Sequence, residues 1–529
     1  MRYKNILLSV LIVLFLSTNV FATTYYVCGN ETLCDAGEAA NTDWETGNDS
    51  NACTSRGAPC LTIKAGVGKM SSSDTLVIGD GTYTGTSNCL NNGSGWEWDN
   101  GIPDGDEGYP TIIMSENDFG VTIDGEGTQP PFAVYNWSWG QIEGINFTRG
   151  GGGGLTQAFV LGYSDHCKIF RSTFSEGQNN SDVMSIRYGS YNLVEDCAAW
   201  GQGRYVFSSY DKTGDHAYNI FRRCVARWDY DDIGDGQERP KGAYSLYWSD
   251  GTVLQNCIAI DGNGINEYLG ATSFYAPNGG SDFLFDSCIA LNNDGSGLLT
   301  EQGSDSVTIT NSILWDINSV ETDNYNMWIR ENTNTVVNNC TIGNVDTAST
   351  GMRWQTTGTI YDTIFYDHQT YALYVYGETS EPTHDYNLFY ANTDNFYQAS
   401  AQANELTAVN PLISGLLYLP RIETGSALKT AGQSGDQIGA EILYKLGVSG
   451  TLYGETGWNT LTGYPLWPWT YEDEFRSLMR TYSLHGVDGD RGFCADGETL
   501  THYIWNYLGN GGYPYGSISA PKNFRGVLQ

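Results

Sequence analysis

The chain has 529 residues and carries 61 Asp and Glu against 26 Lys and Arg, a net charge of −35. A surface so acidic repels nucleic acid and anionic membranes, which are recognised through cationic contacts; it also repels polyanionic sugars unless cations bridge the two. With 65 glycines and 16% charged residues, the composition suits an all-β repeat protein and not a helical one.

Met1 to Ala22 reads as a secretory signal peptide. Arg2 and Lys4 form its basic region, Ile6 to Leu16 its apolar core, and Val20-Phe21-Ala22 a small-x-Ala cleavage site. The apolar core is too short to span a bilayer, and no Cys follows the cleavage site. The expected product is a secreted or periplasmic protein that starts at Thr23 and inserts in no membrane. Thr23 to Tyr83 holds Cys28, Cys34, Cys53 and Cys60 in polar surroundings, which in an exported chain favours disulfides. Of the three possible pairings, Cys28–Cys34 with Cys53–Cys60 is the expectation, with Cys89 a further candidate. Leu61 to Met70 is expected as a short capping helix and Thr75 to Ile78 as the first strand.

From about Ile145 to Phe389 one short phrase keeps returning: EDCAA at Glu195, RRCVA at Arg222, QNCIA at Gln255, DSCIA at Asp286, TNSIL at Thr310 and NNCTI at Asn338. One position of each phrase is small: Ser172, Cys197, Cys224, Cys257, Cys288, Ser312, Cys340, Thr363 and Asn387, preceded by Ile145. The steps run 27, 25, 27, 33, 31, 24, 28, 23 and 24 residues. A near-constant period of this size is a repeat architecture. Each phrase is β-branched or aromatic with turn residues around it, so each repeat holds strands and not helix pairs. The expected fold is all-β: a right-handed parallel β-helix of ten or more coils, with the small residues stacked inside as a ladder. Neighbouring strands lie about 4.8 Å apart, so ten rungs make a rod roughly 45 Å long. The ladder cysteines are expected as small buried hydrophobes and not as a metal array.

The organisation follows: residues 1–22 as signal peptide, 23–110 as N-terminal cap and first coils, 111–441 as β-helix, and 442–529 as a C-terminal cap or attachment region. The glycine run from Arg149 to Gly154 is expected as a coil-corner loop. In the last region Tyr471 to His485 is amphipathic at helical period with Thr470 as N-cap, and Thr499 to Leu508 is a second helix stopped by Gly509. This tail is expected over the open end of the solenoid or as an attachment module.

The order Tyr25-Tyr26-Val27, then Asn48 to Ile63, then Lys64-Ala65-Gly66 and Asp74 to Gly85 resembles the opening of bacterial secreted proteins of the pectate-lyase-like β-helix superfamily. Asn410-Pro411-Leu412-Ile413, Ser426-Ala427-Leu428 and Gln437-Ile438-Gly439-Ala440 resemble its closing segment. The resemblance spans roughly Tyr25 to Glu441 and implies the fold. Activity stays open, since the fold carries lyases, hydrolases, epimerases and binding proteins.

The two longest steps are consecutive, so their extra residues are expected to project side by side as a wall. The first holds the densest charge in the chain: Asp229, Asp231, Asp232 and Asp235, then Arg239 and Lys241, with Lys212 and His216 one coil earlier. Such carboxylates are hard oxygen ligands suited to Ca²⁺, and they repel one another unless a cation holds them. The resemblance implies a mechanism. Many lyases of this fold open uronate polysaccharides by β-elimination, and one group arranges calcium ligands as Asp-Asp-x-x-Asp, the spacing of Asp231, Asp232 and Asp235. Lys241 is then the expected base, with Arg239 or Lys212 behind it. Trp228, Tyr230, Tyr244 and Trp248 are candidates for stacking on sugar rings, and His216 for contact with substrate. A polysaccharide, acidic if the lyase reading holds, is the expected partner. Two other readings stand beside the lyase: a non-catalytic extracellular or cell-surface glycan-binding or structural β-helix, and a glycoside hydrolase using paired carboxylates.

Overall fold

A computed structural model describes residues 22–509 apart from 36–42, 92–100, 153–155, 179–180, 213–216, 230–240, 264–270, 302, 304, 319–324, 332–333, 345–349, 378–379 and 412–417. Among the described residues, three parallel sheets of 13, 12 and 11 strands wind around one core. The first sheet runs from Thr24–Val27 to Thr383–Asp385, the second from Gly81–Thr84 to Leu388–Tyr390, and the third from Phe132–Tyr135 to Asp394–Tyr397. One coil shows the pattern: Leu193–Glu195 in the first sheet, Ala198–Gly201 in the second and Tyr205–Tyr210 in the third, each paired in parallel with the next coil. This is a right-handed parallel β-helix.

From Lys168–Phe170 onward the corner between the first and second sheets is two residues long, and it explains the repeated phrase. Its first residue is left-handed: Asp196 (φ 54°), Arg223 (51°), Asn256 (50°), Asn311 (50°), Asn339 (50°) and Asp362 (54°), mostly residue types that tolerate this region. The second is the ladder residue, buried inside the bend. Its side chain is small and also a donor. Ser312 Oγ reaches the carbonyl of Thr310 at 2.8 Å, Thr363 Oγ1 that of Tyr361 at 3.0 Å, and Cys197 Sγ that of Glu195 at 3.3 Å. Cys, Ser, Thr and Asn alternate there because each fits and each satisfies a bend carbonyl. The ladder cysteines are free and buried. Burial pushes the Cys340 thiol up to about 12, so it stays protonated and inert.

Cys28–Cys34 and Cys53–Cys60 are the disulfides at the amino-terminal end. Thr75–Ile78 is not the first strand, because Thr24–Val27 pairs onto its free edge and caps it. The expected helix at Leu61 to Met70 is shorter, Ile63–Val67, capped by the Thr62 hydroxyl. At the far end the segment around Leu406 lies beside Leu388 and closes the last coil. His384 is buried there between Glu405 (2.6 Å) and Glu381 (3.0 Å), and the amide of Ser400 also donates to Glu381 at 2.7 Å. Burial alone would lower the His384 pKa, but the bonds to the two carboxylates raise it above its ordinary 6.5. The stability it contributes is therefore full below the unfolded pKa and lost as pH rises through the raised folded one. Melting temperature measured against pH should fall across that window in the native chain, and His384→Gln should flatten this part of the profile.

The C-terminal region does not sit on an open end. It doubles back along the side, because the left-handed corner residues offer it a row of outward hydrogen-bonding groups. Asp362 accepts from the amide of Gln433 (2.7 Å), and Asn339 donates to the carbonyl of Gln437 (2.8 Å). Asn311 clasps Glu441 through both backbone groups (2.7 and 3.0 Å), and Asn256 accepts from Leu446 (2.7 Å). The chain then covers the second sheet, whose outer face is apolar. Val225, Ile258, Ile289 and Trp315 pack with Leu466, Trp467, Phe475, Met479 and Trp505 in one buried cluster. Helix Glu472–Arg480 starts later than expected. The Thr470 hydroxyl oxygen accepts from Lys445 Nζ instead of capping, and Tyr471 is left-handed (φ 61°). Its end is pinned by Arg227, which donates to the carbonyl of Met479 (3.4 Å). Helix Leu500–Tyr507 is capped by Thr499. Among the described residues no helix is long and apolar enough to cross a membrane.

Candidate functional site

The outer faces are not equally available. The C-terminal region covers the second sheet, and Leu452, Tyr453 and Trp458 cover Leu193, Ile220 and Val253 on the first. The third sheet remains. The long insertions both connect the second sheet to the third: one lies between Val225–Trp228 and Gly242–Tyr247, the other between Ile258–Ile260 and Thr272–Ala276. They therefore leave and return on adjacent coils, along one edge of the third sheet.

One outward row of this sheet, read across the coils in register, is Ser185, Ser208, Ser245, Tyr275, Leu299, Trp328, Arg353, Tyr374 and Tyr397. The three serines are small and buried beneath this face. Beside it, on the edge where the insertions return, the amide of Lys241 donates to the carbonyl of Arg204 at 2.7 Å. Lys241 and Arg204 thus sit on neighbouring coils, about 4.8 Å apart in backbone. The Arg204 guanidinium lies 5.2 Å from the Tyr205 ring centre, and Tyr205 is 5.9 Å from Tyr275. The Tyr275 hydroxyl donates to Glu301 at 2.7 Å, and Asn278 holds the other oxygen of that carboxylate at 3.1 Å. Asp182 pairs with Arg187 at 3.5 Å. Burial raises the pKa of Tyr205, which Arg204 partly offsets, and burial with Tyr205 and Glu301 raises that of Tyr275. Both phenols are therefore neutral. Burial lowers the Arg204 pKa, but Tyr205 and Asp182 outweigh it and raise it, so the guanidinium stays charged.

The arrangement sets a planar cation able to clasp a carboxylate beside a lysine, two phenols and two carboxylates. Of the residues singled out from sequence, Lys241 is here. Lys212 follows Tyr205–Tyr210 and lies at the opposite edge, roughly 20 Å away along a six-residue strand. Trp248, left-handed at φ 58°, shares that far edge. Tyr244 lies inside, its ring stacked between Phe207 (5.3 Å) and Phe274 (5.4 Å) and its hydroxyl donating to the carbonyl of Cys224 at 2.8 Å. Trp228 is a fully buried second-sheet residue. Neither offers a face to a sugar. Asp229 is buried too, held by Arg227 (3.2 Å) and by Arg491 of the C-terminal region (2.7 Å). His216, Tyr230, Asp231, Asp232, Asp235 and Arg239 lie outside the described residues. Among the described residues no group of three or more His, Cys, Asp or Glu is placed to hold a metal.

Arg204, Asp182 and Glu301 escape a sequence reading. The phase of the third sheet cannot be counted from the ladder, because the connection before it changes length from coil to coil.

A family model described as "right handed beta helix region" matches residues 278–413. Comparison with curated proteins gives no match. Among solved structures, the pectate lyase Pel9A is 17% identical with a TM-score of 0.43, over 79% of this chain and 95% of its own. A PL6 family polysaccharide lyase from Pseudopedobacter saltans is 11% identical with a TM-score of 0.43, over 72% and 98%. A surface adhesin of Streptococcus pneumoniae, PfbA, is 11% identical with a TM-score of 0.33, over 62% and 85%.

Proposed function

We propose that this protein is an exported carbohydrate-active β-helix that opens an acidic, uronate-containing polysaccharide by β-elimination on the outer face of its third sheet. The observation that carries the reading is Lys241 in register beside Arg204, on the edge where the acidic connection returns. Arg204 pairs with the sugar carboxylate and makes the neighbouring C–H more acidic. Lys241 takes that proton; the ring double bond forms as the bond to the glycosidic oxygen breaks, and water protonates the departing oxygen. Calcium on Asp231, Asp232 and Asp235 would add positive charge against the same carboxylate; among the described residues Arg204 supplies it. Two disulfides near the amino terminus support an oxidising destination.

A second reading, glycan binding without catalysis, is favoured by the burial of Tyr205 and Tyr275, 3% and 7% exposed, which keeps both phenols from passing a proton to the departing oxygen. A panel of uronate polymers, with calcium and with chelator, separates the two. Unsaturated ends seen by ultraviolet absorbance, fewer under chelation, are expected. Binding without new chain ends would leave the second reading, and reducing ends without unsaturation would mean hydrolysis.

A further inference from the structure

On the same outward row, four coils beyond Ser245, the third sheet carries a cation with an unusual surrounding. The Arg353 guanidinium lies 3.8 Å from the ring centre of Tyr376, 4.4 Å from Trp328 and 5.1 Å from Tyr325. Its Nη1 donates to the Tyr325 hydroxyl at 2.8 Å, and its Nε is buried without a partner. The other arginines of this face are matched by acids, Arg187 by Asp182 and Arg330 by Glu331. Among the described residues, Arg204 and Arg353 alone on the third sheet's outer face have no carboxylate in ion-pair range. In a chain of net charge −35, a cation held by ring faces and without a counter-charge among the described residues is placed for an anion from outside.

The rings around it are fixed. Gln355 accepts from the Trp328 indole at 2.6 Å, and Tyr374, in register with Arg353, stacks 4.6 Å from Tyr397. Tyr376 and Tyr397 are 42% and 37% exposed. Ring faces beside an aimed guanidinium suit an anionic sugar, with the pyranose on the tyrosines and its carboxylate on Arg353.

We propose that Arg353, with Trp328, Tyr374, Tyr376 and Tyr397, forms a second glycan site that holds a uronate unit of the same polymer. Four rungs separate it from Ser245, on the order of 20 Å, so a chain lying along the solenoid axis meets both. The proposal rests on the reading of the third sheet as the glycan face but not on catalysis at Lys241.

The test is titration of the full chain with a uronate polymer and with a uronate dimer, alongside turnover of both. Arg353→Gln should weaken polymer binding about tenfold and raise KM for the polymer, leaving turnover of the dimer as in the native protein. Tyr397→Ala, on an exposed side chain, should act in the same direction with the melting temperature kept. If both variants bind and turn over polymer as the native chain does, this site falls while the lyase reading stands. If nothing is turned over but polymer binding survives and is lost in Arg353→Gln, the site stands and the lyase reading falls.

Discussion

Replacing Glu195 with alanine is expected to cost about 3–5 kcal/mol of stability. Glu195 is fully buried at the junction between solenoid and C-terminal strap. Its carboxylate takes Arg222 Nη1 at 2.9 Å and Arg223 Nη2 at 2.5 Å, and accepts from the Ser449 hydroxyl and the Gly450 amide. Arg222 in turn donates to the carbonyls of Val448 (3.0 Å) and Trp458 (2.8 Å). Alanine would leave the buried Arg222 guanidinium without its carboxylate and Arg223 with Asp196 alone (2.7 Å), and would release the strap that they hold. Denaturant unfolding should show a lower midpoint, and proteolysis should cut first near residues 446–458. Glu195→Gln keeps the shape and one oxygen acceptor but replaces the other oxygen by an NH2 donor and loses the charge, and should fall between.

Lys241→Ala is expected to lower turnover of a uronate polymer by about 10²–10⁴ while leaving the melting temperature almost unchanged. Alanine retains the residue's backbone links to the sheet: its amide donates to Arg204 (2.7 Å) and its carbonyl accepts from Thr272 (3.2 Å). Loss in kcat with KM held would mark a group that acts in the transition state. Lys212→Ala, at the far edge of the same sheet, should leave turnover as it was. A fall in KM affinity alone at Lys241 would assign it to binding.

The β-helix was legible because, from Lys168–Phe170 onward, the corner between the first two sheets keeps two residues, so its small donor residues recur at countable steps. The same corner concealed a second task. Asn256, Asn311 and Asn339 were readable as turn residues, but nothing local marks that their amides clasp a strap about 100 to 200 residues further on. The tail's destination was unreadable for that reason, although the apolar outer positions Val225, Ile258 and Ile289 did require a cover. At the site, sequence reached Lys241 and the insertions that share its edge. It missed Arg204 and Arg353, whose outward phase is set by strand register across coils with unequal connections. It placed Trp228 and Tyr244 in loops, where the strand Val225–Trp228 runs on to include the first and the strand Gly242–Tyr247 already holds the second, and both rings turn inward.

The central claim is that the outer face of the third sheet is where the glycan lies. Hydroxyl-radical footprinting with and without a uronate polymer tests it most directly. Trp328, Tyr376 and Tyr397 should lose reactivity when polymer is bound, while Tyr444 and Tyr464, exposed by 45% and 73% on the C-terminal region, should keep theirs. Protection at Tyr444 and Tyr464 with the third sheet unchanged would contradict the account.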